Sequence, residues 1–189
     1  MEKKVLGAPL ARFQAEMRAR AWSSETLRAY RFRLERFGKY LADQHPSITA
    51  LSGITPDIVS SYQLWLCKSE TRKGGTLSPS SQRAFLSALK SFFEFLLTEG
   101  LILADPTRTL TMPRLPRRLP QGVLSGKEIK LLLRQPDLST YIGVRDRAIL
   151  ETLYSTGLRS SELRSLAVSD LDLDRGYVTV LSGKGKKDR

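Results

Sequence analysis

Four prolines, Pro106, Pro113, Pro116 and Pro120, fall within residues 105–122. Proline fixes φ and removes a backbone donor, so no regular element runs through this stretch. The 189-residue chain is therefore expected to fold as two parts joined by a linker. Arg108, Arg114, Arg117 and Arg118 lie among the prolines. A basic, extended linker is suited to tracking a phosphate backbone. The expected organisation is a helical domain over residues 1–104, the linker over 105–122 and a second domain over 123–189.

The upstream part carries helical periodicity and no strand signal. Leu10, Phe13 and Met17 predict a helix over residues 8–21. Ser23, Ser24 and Thr26 offer an N-cap for a second helix, whose stripe is Leu27, Tyr30, Leu34, Phe37 and Leu41. Arg28, Arg31, Arg33 and Arg36 fill its remaining positions. Thr55-Pro56-Asp57 opens a third helix with Ile58, Tyr62, Trp65 and Leu66 inward, since proline suits a first turn. Residues 71–76, with Gly74-Gly75, read as a loop. Ser78-Pro79 opens a fourth helix, running to about Thr98 over Phe85, Leu89, Phe92 and Leu96. Arg83, Ser87 and Lys90 occupy its opposite side. Trp22 and Trp65 are expected at the core or an interface, Cys67 as a small buried apolar residue, and His45 on the surface.

The downstream part is mixed. Ser125 caps a helix through Leu133, Arg145 to Ser155 forms another with Ile149, Leu150 and Leu153 inward, and Gly157 is its C′ residue. A short helix follows over Ser160 to Leu166. Leu171-Asp172-Leu173 alternates, Arg175-Gly176 turns, and residues 177–181 read as a strand.

Composition narrows the function. Lys and Arg number 31 against 19 Asp and Glu, a net charge of +12, which points to a polyanionic partner. One cysteine and one histidine exclude a disulfide framework and any metal site built on His/Cys clusters. No apolar run approaches a membrane span, and Met1-Glu2-Lys3-Lys4 is not followed by a signal-peptide core, so a cytoplasmic protein without a membrane partner is expected.

Two constellations carry chemistry. Thr156-Gly157-Leu158-Arg159-Ser160-Ser161-Glu162-Leu163 places an arginine at a helical corner, and Gly183-Lys184-Gly185-Lys186-Lys187 forms a basic turn after a strand. Together they resemble the tyrosine recombinase (phage integrase) family, nearest its bacterial Xer-type members. The first is similar to the family's T-G-L-R-x-S-E-L run and the second to its G-K-G-x-K-x-R turn. Residues 24–37 resemble the family's S-x-x-T-x-x-x-Y-x-x-x-L stretch, and residues 80–92, Asp105-Pro106 and Leu119-Pro120 resemble its last core-binding helix and linker.

The resemblance implies a mainly α protein with a small β element. A four-helix, SAM-like core-binding domain would precede the N-terminal part of an α+β catalytic domain. It implies Arg159 and Lys184 as catalytic residues, with Glu162 orienting Arg159. An arginine fork suits two non-bridging phosphate oxygens, and a lysine can protonate a leaving oxygen. Thr26, Arg83, Ser87, Lys90, Arg117, Arg118, Lys186 and Lys187 are the expected DNA-binding residues. Double-stranded DNA is the expected partner, with a full-length recombinase or a second protomer beside it, and neither cofactor nor metal is expected.

The family's H-x-x-R pair and nucleophilic tyrosine follow the lysine turn by many residues. Here the sequence stops five residues past Lys184, the one histidine is His45 and the last tyrosine is Tyr177. A C-terminally truncated recombinase, unable to cleave DNA alone, is expected. The alternative is a non-catalytic module that occupies recombination half-sites. A third reading takes Glu151 to Leu166 as the helix-turn-helix of a regulator, which leaves the linker and the lysine turn without a role.

Overall fold

A computed structural model of the chain describes residues 5–71, 74–116 and 122–180. The chain divides into two compact units, Met1–Arg117 and Arg118–Arg189.

The first unit is built from α1 (Gly7–Ala19), α2 (Ser24–Gln44), α3 (Pro56–Lys68) and α4 (Pro79–Thr98). Side-chain caps start the two longest helices. Ser23 Oγ accepts the Thr26 N–H and Ser78 Oγ accepts the Ser81 N–H, both at 3.2 Å. Pro56 and Pro79 occupy first turns, where the missing N–H costs nothing. Two of the helices end in the same reversal. After α4, Gly100 enters the left-handed region, its N–H donates to the Leu97 carbonyl and the Leu101 N–H donates to Leu96. After α1, Ala21 does the same at φ 54, with Trp22 N–H donating to Met17.

The apolar stripes read from the sequence converge on one core. Met17, Leu34, Phe37, Tyr62, Leu66, Leu86, Leu89, Phe92, Phe93 and Leu96 are fully buried. Phe37 meets Tyr62 edge-on at 4.9 Å, and Phe13 meets Phe92 at 5.5 Å. The segment after α4, read as the start of the linker, lies on this unit. Thr107 is buried, its N–H and hydroxyl both donating to Asp105 Oδ1 at 2.7 Å, and Leu110 joins the core. Gln63 Nε2 and Arg83 Nη1 donate to the carbonyls of Thr111 and Pro113.

Two side chains of this unit differ from expectation. Cys67 is exposed, its thiol donating to Gln82 Oε1 at 3.2 Å; it stands one residue past buried Leu66, outside the inward arc of α3. His45 is half-buried rather than a free surface residue. It is the C-cap of α2, bonds Tyr40 Oη at 3.1 Å and lies edge-on to that ring.

The second unit contains α5 (Gly126–Leu133), α6 (Tyr141–Thr156) and α7 (Ser160–Ser165). A two-residue pairing of β1 (Leu171–Asp172) with β2 (Tyr177–Val178) follows, antiparallel, with Leu171 opposite Val178. Ser125 and Glu128 cap α5 reciprocally, and those hydrogen bonds hold the Glu128 carboxyl below its usual range. Helix α6 begins four residues before the expected Arg145. Asp137 closes a turn through Ser139 and Thr140, and Thr140 Oγ1 accepts the Gly143 N–H, so a cap stands where hydrophobic periodicity gave no start. Gly143 is buried with its Cα against the Asp137 carbonyl, where a β-carbon would collide. Ile149, expected inward, is exposed, while Leu150 and Leu153 are half-buried. Among the described residues of this unit the buried apolar side chains are Leu133, Leu158 and Val180. Leu131, Leu132, Tyr141, Ile142, Val144 and Tyr154 remain exposed. Regular pairing covers only Tyr177 and Val178 of the expected strand; Leu181 lies outside the described residues.

Two substitutions test these backbone assignments. Ala21→Gly should stabilise the first unit by about 0.5–1 kcal/mol, because an L side chain is strained at positive φ. Both tryptophans, Trp22 and Trp65, lie in that unit, so urea unfolding followed by their fluorescence reads it alone. Gly143→Ala would raise helix propensity at an open site, but here should destabilise α6 by about 1–3 kcal/mol. Hydrogen exchange over residues 141–156 measures it.

Candidate nucleic-acid interface and phosphate site

Helix α6 stops at Thr156, and Gly157 takes φ 63 while its N–H donates to the Leu153 carbonyl at 3.0 Å. That left-handed residue reverses the chain without steric cost. Leu158 then buries itself, and Arg159 becomes the N-cap of α7. The Glu162 carboxylate grips this residue twice. Oε2 accepts the Arg159 backbone N–H at 2.8 Å, and Oε1 accepts from Nη1 at 2.6 Å. Glu162 is only 7% exposed, whereas the Arg159 side chain is 51% exposed. A buried anchor thus holds one edge of a guanidinium and leaves the rest open to a ligand. Such an edge presents parallel N–H donors matched to phosphate oxygens.

On the first unit, Arg83, Ser87 and Lys90 share one side of α4, with Arg83 exposed and the other two half-buried. Thr26 lies in the first turn of α2, its hydroxyl within 2.9 Å of Ser23 Oγ. Arg117, Arg118, Lys184, Lys186 and Lys187 lie outside the described residues. Among the described residues no three His, Cys, Asp or Glu side chains gather as a metal site, and no helix is long and apolar enough to cross a membrane.

One feature of this surface was not singled out in the sequence. Phe32 and Arg33 of α2 and Ser80 and Ser81 of α4 line a shallow cleft between the two helices. Arg36 stands one turn further along α2, over the rings of Trp65 and Phe85. In the sequence Arg33 and Arg36 are two of several arginines between apolar positions. What distinguishes Arg36 is an aromatic pair contributed by two other helices, which no local pattern reveals.

Comparison with known proteins matches both units to one family. Residues 10–100 match the family described as "Phage integrase, N-terminal SAM-like domain", and residues 122–189 match "Phage integrase family". A solved lambda integrase dimer bound to a COC′ core site has a TM-score of 0.68 at 20% identity. It covers 96% of this chain and 60% of its own, and the likeness shows the fold. The chain belongs to the phage integrase family, the tyrosine recombinases.

Xer proteins are among its relatives within the family. Tyrosine recombinase XerC 2 of Ralstonia nicotianae is 38% identical over 168 residues, covering 89% of this chain and 48% of that protein. Tyrosine recombinase XerC of Myxococcus xanthus is 37% identical over 185 residues, covering 95% and 57%. The chain spans about half the length of the curated relatives it matches.

Removing the carboxylate should free Arg159. Glu162→Ala is expected to destabilise the α6–α7 corner by about 1–3 kcal/mol, since it strips a buried partner from a backbone N–H and a guanidinium. Glu162→Gln, which keeps an acceptor but no charge, should cost less. Hydrogen exchange over residues 157–163 orders the variants.

Proposed function

We propose that this chain supplies the DNA-binding unit and part of the active site of a site-specific tyrosine recombinase, acting on duplex DNA in the cytoplasm. The observation that carries the reading is Arg159, fixed by buried Glu162 and half-open to solvent, within a segment that matches the family. In the family's reaction a tyrosine oxygen attacks a phosphodiester. A P–O bond to tyrosine forms as the phenol gives up its proton, the P–O5′ bond breaks, and the leaving 5′ oxygen takes up a proton. Arg159 would bind two non-bridging oxygens and hold the negative charge that develops on them. Lys184 would protonate the leaving oxygen, and Glu162 would keep Arg159 aimed without touching DNA. Arg83, Ser87, Lys90 and Thr26 on the first unit, with Arg117, Arg118, Lys186 and Lys187, would hold the duplex through phosphates.

The 189 residues contain neither an H-x-x-R sequence nor a tyrosine beyond Tyr177. We propose that these 189 residues bind a recombination half-site, the family's cleavage step needing groups that they do not contain. A second reading, a non-catalytic occupant of half-sites, shares this binding and differs only in what surrounds it in the cell. A second protomer or a full-length recombinase on the neighbouring half-site would be the protein partner.

A nicked half-site duplex, which traps any phosphotyrosine product, tests the proposal. The 189-residue chain should retard the duplex at low salt and form no covalent adduct. Absence of retardation would remove the DNA-binding reading. An adduct that survives denaturing electrophoresis would show a nucleophile within these residues.

A further inference from the structure

Arg36 is held as a cation with no anion among the described residues. Its guanidinium carbon stands 5.2 Å from the ring centroid of Trp65 on α3 and 5.2 Å from that of Phe85 on α4. Its Nε is buried without a hydrogen-bond partner. Its two terminal nitrogens make no hydrogen bond or ion pair among the described residues, and the residue as a whole is half-buried. Other arginines of this unit differ. Arg12, Arg20, Arg28 and Arg31 each lie within 3.3 Å of a glutamate oxygen.

Tyr62, whose hydroxyl is also buried without a hydrogen-bond partner, feels the Arg36 charge. Burial pushes its ionisation upward more than the Arg36 charge draws it down, so it stays a neutral phenol. A methionine or leucine would pack between two rings without burying an unpaired polar nitrogen. The arrangement stabilises a planar cation in a fixed orientation, with its outer N–H groups unused.

The position suits a phosphodiester. Thr26, Ala29, Arg33 and Arg36 follow one another at helical spacing along a single side of α2. That side borders the cleft with Ser80 and Ser81 of α4. Within a chain of net charge +12, Arg33 lies beside the Ser80 and Ser81 hydroxyls and Arg36 stands one helical turn further on, neither guanidinium ion-paired among the described residues.

We propose that Arg36, oriented by Trp65 and Phe85, is a preset contact to a phosphate of duplex DNA on the helical unit. This rests on the DNA-binding reading above. The rings immobilise the guanidinium before DNA arrives, so binding loses less side-chain freedom at this contact than at a free surface arginine.

The test is fluorescence polarisation with a labelled mixed-sequence duplex over a salt series. Wild type is compared with Arg36→Met, Arg36→Lys and Arg12→Met. The Arg12 and Arg36 methionine variants change net charge equally, so their difference isolates the site from bulk charge. Arg36→Met should lower affinity about 3–10-fold more than Arg12→Met, and should reduce the slope of log K against log salt by about 0.9. Arg36→Lys should retain the slope while losing part of the affinity, because an ammonium does not stack as a planar fork. That variant keeps charge and stem, so it carries the test if the methionine variant melts below assay temperature. Matching affinities and slopes for Arg36→Met and Arg12→Met, or for Arg36→Lys and wild type, would overturn the assignment of Arg36 while leaving DNA binding intact. Failure of wild type to bind at low salt would overturn the DNA-binding reading itself.

Discussion

Helix α4 sets the frame on which the rest of the helical unit depends. It buries Phe85, Leu86, Ala88, Leu89, Phe92, Phe93 and Leu96, and it packs against each of α1, α2 and α3. Burial of one apolar arc on a 20-residue helix fixes the direction of the opposite arc. Arg83, Ser87 and Lys90 therefore point away from the core because of where the phenylalanines go. The same burial brings Phe85 under the guanidinium of Arg36, so a core residue also prepares a surface cation.

The helical unit was largely legible in the sequence because its signals are local. Ser78-Pro79 marks the start of α4 by a hydroxyl cap and a pre-set φ, where expected, and the helix ends at Thr98 ahead of the left-handed Gly100. The start of α6 was not legible. Its cap depends on Thr140 and on an Asp137 turn, and Gly143 inside the first turn weakens the helical pattern while serving a close backbone approach. Side-chain burial was less legible than element type. Cys67 is exposed because it falls just beyond the inward arc of α3, and His45 is half-buried because the end of α2 folds it onto Tyr40.

The two units differ in how complete their cores are. The first closes on itself with aromatic edge contacts and a packed segment through Leu110. Leu133, Leu158 and Val180 are buried in the second, and large apolar side chains on α5 and α6 face water. Yet the second unit forms the corner that holds Arg159. Gly157 and Glu162 fix Arg159 through backbone geometry and two short hydrogen bonds, and these rely on residues close in sequence rather than on an extensive core. The match of the T-G-L-R-x-S-E-L run to a rigid corner has this local origin.

Arginine footprinting on the intact chain tests the central claim most directly, that DNA is met by the α2–α4 face and by Arg159. Phenylglyoxal modification would be mapped by mass spectrometry with and without duplex DNA. Arg33, Arg36, Arg83 and Arg159 should lose reactivity on DNA addition, while Arg12 and Arg20, paired with glutamates on other helix surfaces, should keep theirs. Protection confined to Arg12 and Arg20, or equal reactivity throughout while the duplex is bound, would contradict it.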